Sequence, residues 1–173
     1  MANKLDDFVA ECRAALTTQP GTQGREQVRD LVKKVLKDPE FVATYIPEGT
    51  PERYVLYEDP ELGFTVLAHG YTGAKSSKPH DHGPTWAIYG QAAGETIMTA
   101  WDRVAPATET TPGRAKFNHD YVMKPGDAYL YDVGVLHSPE RKGATRLLRI
   151  EGVNVTKIKR HPYEAVTQAA AAE

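Results

Sequence analysis

The sequence predicts a mainly β fold, an antiparallel barrel or sandwich of many short strands, capped at its N-terminal end by a helical segment. Three observations carry this. Apolar residues recur at helical spacing as far as Tyr45, and beyond Gly49 the chain breaks into short β-branched and aromatic runs bounded by Gly, Pro or Asp. With 173 residues, 40% hydrophobic and 25% charged, and a net charge of −2, the chain suits one globular domain with a real core.

The helical part is read first. Leu5, Phe8, Val9, Cys12, Ala15 and Leu16 fall at i, i+3, i+4, i+7 spacing, which predicts an amphipathic helix from Leu5 to Leu16. Pro20 and Gly21 mark a turn, and Val28, Leu31, Val32, Val35 and Leu36 repeat the pattern across Gln23 to Leu36. Asp38-Pro39 is a helix start signal and opens a short third helix over Phe41 to Tyr45. Strands are expected at 53–57, 64–68, 86–89, 96–101, 120–123, 128–131 and 145–155, because these runs are short, rich in strand-forming residues and punctuated by turn residues. The reading is a single domain over 1–173, with a helical cap at 1–48, a β-barrel at 49–160 and a tail at 161–173. The Ala-rich end, Val166 to Glu173, is expected to fray.

Composition narrows the function. Charges of both signs are interspersed and no basic run is interleaved with aromatics, so nucleic acid is not expected as a partner and a small molecule is. Cys12 is the only cysteine, which rules out an internal disulfide and a thiolate zinc cluster and fits a reducing compartment. No run approaches the roughly 20 apolar residues of a membrane span, and the first residues carry Asp6 and Asp7 with no apolar signal core. A cytoplasmic location is the expectation. Oligomeric state is open, a homodimer included.

Chemistry concentrates in Pro79-His80-Asp81-His82-Gly83 and, far downstream, Gly134-Val135-Leu136-His137. Side chains two apart on a strand share a face, so His80 and His82 point the same way, and His137 after a second Gly-bounded strand completes a triangle. Three imidazoles hold iron, zinc, copper or nickel and leave coordination positions open for other ligands. His69, His119 and His161 stand alone and read as ordinary surface or hydrogen-bonded histidines. Asp81, lying between two ligands, must face the other way, toward a neighbouring loop.

In order and spacing, Gly73-x6-His80-x-His82, Gly94, and Gly126-x5-Asp132-x-Gly134-x2-His137 resemble the two motifs of the cupin superfamily, and the likeness spans about two thirds of the chain. It implies a double-stranded β-helix. Where cupins commonly carry a Glu ligand after the histidine pair, this sequence has Thr85, Trp86 and Ala87, so it is similar to the three-histidine thiol dioxygenases, cysteine dioxygenase and 3-mercaptopropionate dioxygenase. That resemblance implies Fe(II) at His80, His82 and His137, with Zn, Ni or Mn as alternatives in purified protein. It also implies dioxygen as co-substrate, a sulfinate product, and Arg53 as the anchor for the substrate carboxylate.

Other site residues follow from alternation. With Leu148 and Ile150 facing an outer layer, Leu147, Arg149 and Glu151 face inward, where the two charges form an ion pair or bind a polar substrate group. This stretch stands where thiol dioxygenases carry a Ser-x-His-x-Tyr run. Trp86, Tyr89, Tyr129 and Tyr131 lie on the strands around the motifs and read mainly as packing; Tyr129 and Tyr131 share a face, and if that face is interior their hydroxyls are candidate catalytic donors. Two other function classes stay open at this point. One is a different three-histidine metalloenzyme, an oxygenase, isomerase or hydrolase acting on a chelating small molecule; the other is a non-catalytic metal- or metabolite-binding protein.

Overall fold

The computed structural model describes residues 3–166. Helix α1 spans Lys4–Thr18, α2 Thr22–Leu36 and α3 Pro39–Tyr45. Their starts are chemically specified: the Asn3 side chain accepts a hydrogen bond from the Leu5 amide at 3.1 Å, and Asp38 caps α3 through the amides of Glu40 and Phe41, with Pro39 in the first turn. The buried faces are those the periodicity picked out, Phe8, Val9, Cys12 and Ala15 on α1 and Val28, Val32 and Leu36 on α2.

Ten strands follow: β1 Tyr54–Glu58, β2 Thr65–Tyr71, β3 Lys75–Ser76, β4 Ala87–Ala93, β5 Thr96–Ala105, β6 Gly113–Met123, β7 Ala128–Tyr131, β8 Leu136–Arg141, β9 Thr145–Glu151 and β10 Tyr163–Ala165. They form two five-stranded sheets, ordered β1-β2-β9-β4-β7 and β10-β6-β5-β8-β3, with antiparallel pairing everywhere except β10 on β6. This is the curled two-sheet β architecture expected, with the helical segment packed on one side.

The helices cover the outer face of the first sheet. Phe8, Val28, Val32, Leu36 and Phe41 pack there against Val66, Ala68, Ile88, Leu148 and Ile150 in one apolar cluster. Contact is close at Gly90 of β4, where an added Cβ would fall 2.5 Å from Val32 Cγ1 and 2.7 Å from Leu36 Cδ1, so only a bare Cα lets α2 approach. The opposite face of the same sheet looks into the barrel, and there a smaller cluster joins Ala87, Tyr89, Met98, Met123 and Tyr131.

Three boundaries differ from the sequence reading. Residues 163–165 are not a tail: β10 lies parallel on the first residues of β6, and Tyr163 is buried beside Ala115 and Leu136. The strand expected over 145–155 ends at Glu151, because Asn154 caps a 3₁₀ turn at Val155–Lys157. The segment bearing His80 and His82 is no regular strand. Pro79 and Pro84 remove amide donors, and Gly83 sits at φ 61 in a turn closed by Asp81, whose Oδ1 accepts from the Gly83 amide at 2.9 Å. Most of the Ala-rich end expected to fray, 167–173, lies outside the described residues.

Candidate metal centre

Backbone pairing brings the two motifs together. His80 makes an isolated antiparallel bridge to His137, the second residue of β8, with reciprocal N–H···O=C bonds of 3.0 Å. That bridge closes a gap of 57 residues and leaves His82, two positions on, beside both rings. Ring centroids lie 4.5 Å apart for His80 and His137, 4.8 Å for His82 and His137 and 5.8 Å for His80 and His82. One donor nitrogen from each ring lies within 4.8 Å of the others.

Tautomers are set from behind. His80 Nδ1 lies 2.9 Å from the Lys78 carbonyl and His137 Nδ1 3.3 Å from that of Val135, so each Nδ1 carries the proton and each Nε2 keeps a lone pair for the centre. All three rings are held neutral. Burial pushes each imidazole below its ordinary pKa; the Arg149 guanidinium adds to this at His80 and His82, and His80 itself adds to it at His137. A neutral imidazole is the form that ligates a metal. Around one ion with Zn–N-like bonds of about 2.0–2.1 Å, the three nitrogens would stand roughly 3–3.5 Å apart, so nitrogens now within 4.8 Å of one another need close by at most about 1.5–2 Å. The donor set therefore fits a divalent first-row metal.

Tyr89 completes the inner wall. Its hydroxyl lies 3.0 Å from His82 Nε2 and 3.5 Å from His137 Nε2, on the side where the lone pairs converge. The tyrosine is two residues past Ala87 on the inward face of β4, and its phenol pKa is raised by burial. Sequence reading counted it among packing aromatics; period-two spacing from Ala87, in the region where a ligand is expected, is the signal that finds it. Tyr131 also reaches the centre, stacked on His137 at 4.0 Å between centroids, but its hydroxyl is bonded to Tyr121 at 2.8 Å and lies near Met123 Sδ. It supports the His137 ring. Tyr129, on the same side of β7, is 37% exposed and packs on Tyr121 at 4.7 Å between ring centroids, so the catalytic-donor expectation for it is corrected: β7 is an edge strand and this side chain stands at the open rim.

The charged residues are redistributed. Arg53 approaches Glu151 through both Nη atoms at 3.0 Å and donates to Asn154 Oδ1 at 2.7 Å, so its guanidinium is spent inside the protein and does not stand ready as a carboxylate anchor. Glu151, fully buried, also accepts from the Val155 amide and lies 3.0 Å from Arg149 Nε, so protein groups enclose its carboxylate; its pKa is held below the usual carboxylate range by Arg53 and Arg149 against the opposing pull of burial. Arg149 is the residue that faces open space. Its contact with Glu151 is an ion pair of poor angle, and its Nε and Nη2 are buried without a hydrogen-bond acceptor. The guanidinium lies over the Tyr89 ring, 4.7 Å from the centroid.

A cavity of about 310 Å³ opens here, with His80, Tyr89, Arg149, Arg141, His69 and Tyr71 in its wall. Arg141 and His69 were not anticipated as site residues, since nothing local distinguishes Arg141 from a surface arginine. Asp81 points away from the rings and pairs with Arg103 at 3.1 Å, as expected from its position between His80 and His82. Of the other lone histidines, His119 is bonded to the neighbouring Asn118 on the surface and His161 lies 3.6 Å from Glu109. Among the described residues, no helix is long and apolar enough to cross a membrane.

No protein-family model matches the chain, and no curated protein matches it in sequence. Among solved structures it is similar to a cupin superfamily protein from Desulfitobacterium hafniense DCB-2, with 14% identity over 59% of this chain and 76% of that one and a TM-score of 0.43. The cupin domain of Schizosaccharomyces pombe Cnp3 shares 11% identity over 61% and 62%, TM-score 0.45, and KdgF from a Halomonas species 11% over 61% and 82%, TM-score 0.44.

Proposed function

We propose that this chain is a mononuclear non-haem iron(II) dioxygenase that oxidises the thiol of a small anionic thiol carboxylate to its sulfinate. The observation that carries the reading is one arrangement: three neutral imidazoles converge in the barrel beside a cavity whose charged lining residues are all cationic, Lys75, Arg141, Arg149 and Arg160. Iron held by His80, His82 and His137 would keep its positive charge and supply a common site for thiolate and dioxygen, with the balance RSH + O2 → RSO2⁻ + H⁺.

The chain's own residues then do three things. Arg149 presents buried, unpaired N–H groups that orient a carboxylate while the thiol end points to the histidines, and such a clamp makes the encounter of reactants effectively intramolecular. Tyr89 places a hydroxyl proton between the histidine nitrogens and the substrate space, where it can donate to a substrate oxygen or sulfur. Tyr131 and the Val135 carbonyl hold His137 in one orientation. Burial of His82 and His137, 0% and 1% exposed, keeps bulk water from that side of the centre.

The test is elemental analysis of protein purified without metal-affinity steps, then oxygen uptake and sulfinate detection with 3-mercaptopropionate and cysteine. Iron-loaded protein is expected to consume one dioxygen per sulfinate formed. Iron-loaded protein that binds the thiols but consumes no oxygen would sink the reading. His82→Ala should lose metal retention and keep its far-UV spectrum, because the apolar cluster beneath the helices does not include this residue.

A further inference from the structure

Two guanidinium groups converge on the cavity beside the histidines, and only one carboxylate is shared among the arginines of this wall. Arg53 and Arg149 divide the single charge of Glu151, so that cluster carries a net charge of +1. Arg141 adds a second. It is 5% exposed, its Nε is buried without an acceptor, its guanidinium lies over the Tyr71 ring at 4.4 Å, and among the described residues it forms no salt bridge to a carboxylate. Its neighbours of like sign include Arg149. Lys75, at the rim, is already bonded to Glu52.

Burying a cation without a counter-ion is costly, and burying two beside each other more so. Fixed aromatic faces explain how the groups are held, with Tyr71 under Arg141 and Tyr89 under Arg149, but a π-face does not accept the in-plane N–H bonds that remain unmade. Arg160, also in this wall, is exposed and solvated, so the buried part of the wall lacks two negative charges. His69, also in this wall, is held neutral by burial and by Arg149, so it adds a polar group without adding charge.

We propose that this cavity binds a small molecule with two anionic groups, a dicarboxylate or its close equivalent, one group on Arg149 and the other on Arg141, with its third functional group directed at the histidines. The inference deepens the reading above by naming the substrate class of the same site. It rests on that reading only for the identity of the third group as a thiol; the two-anion requirement comes from the charge of the wall.

The experiment separates the two. Metal-free protein, which cannot turn over, is titrated calorimetrically with succinate and with butyrate, of equal chain length, and then with mercaptosuccinate and 3-mercaptopropionate. Succinate is expected to bind roughly ten-fold tighter or more than butyrate, the scale of one buried charge-assisted hydrogen bond. Arg141→Met should bring the two ligands to equal affinity, whereas Arg141→Lys should retain part of the preference; the thermal midpoint reports that each variant is folded. Equal affinity of the parent protein for succinate and butyrate overturns the inference, and so does a preference that survives Arg141→Met. If Arg141→Met does not fold, the comparison of succinate with butyrate on the unmodified protein decides alone. Oxygen uptake by iron-loaded protein with 3-mercaptopropionate but no preference for dianions would leave the dioxygenase reading standing and this one fallen; dianion binding with no oxygen uptake from mercaptosuccinate gives the reverse.

Discussion

The β1-β2-β9-β4-β7 sheet has two buried faces that differ in every chemical respect, and strand β9 shows both. Leu148 and Ile150, each fully buried, point out toward Phe41, Val32 and their neighbours on the helices. Arg149 and Glu151, interleaved with them, point in, among guanidinium groups, phenols and imidazoles. One face is dry, apolar and complete. The other carries Arg149, whose Nε and Nη2 are buried with no acceptor, and looks across the interior at Arg141 Nε and His82 Nδ1, which also lack one. Stability is concentrated on the first face, and the second leaves polar groups unsatisfied, as the site proposed here for an anion and a metal must until they arrive.

The largest expected effect tests whether the inner face is held together by a single charge. Glu151→Gln removes the one carboxylate between Arg53 and Arg149 and should cost about 3–5 kcal/mol, since it leaves two partly buried cations uncompensated. Urea unfolding monitored by circular dichroism measures it; a loss under 1 kcal/mol would mean that the wall is far better solvated than its burial indicates.

On the outer face, Leu148→Ala should cost about 2–5 kcal/mol through lost burial and a residual cavity, with metal affinity unchanged. A variant that loses metal in proportion to stability would break the division between the two faces. Smaller again is the cost of Gly90→Ala, about 1–3 kcal/mol, because the new methyl must displace Val32 and Leu36.

The smallest effect near neutral pH, and one that grows as pH falls, is a pH slope. His69, facing Tyr71, Arg149, Arg53 and Glu151, has its pKa lowered to about 3 by burial first and Arg149 second. Its folded pKa lies below its unfolded value of about 6.5, so the unfolded chain binds the extra proton. Stability from this group is complete above pH 6.5 and is lost as pH falls from there toward 3. His69→Gln should flatten that limb of the thermal midpoint against pH, and an unchanged slope would assign acid sensitivity to other groups.

Much of the site was legible in the sequence, and the failures are of one kind. The pair His80 and His82 with His137 stood out because ligand spacing is local on one side and Gly-bounded on the other. The sense of β9 was readable because alternation is a property of the backbone. Arg53 was misassigned because its partner Glu151 lies 98 positions away, and no pattern within either segment records that meeting. Tyr129 and Tyr89 exchanged importance for a similar reason: both lie on inward-facing positions of paired strands, and only the strand order makes one central and the other a rim residue.

By itself, then, the sequence determined three helices, most of the strands, the trio of imidazoles and which residues of each strand share a face, since these depend on capping chemistry and on periods of 3.6 and 2 that are written within a few residues. Tertiary structure alone decided which cations are neutralised and which are left facing the cavity. Net charge at a point is a sum over groups brought together from Arg53, Arg141, Arg149 and Glu151, and that sum exists only once the two sheets have closed around it.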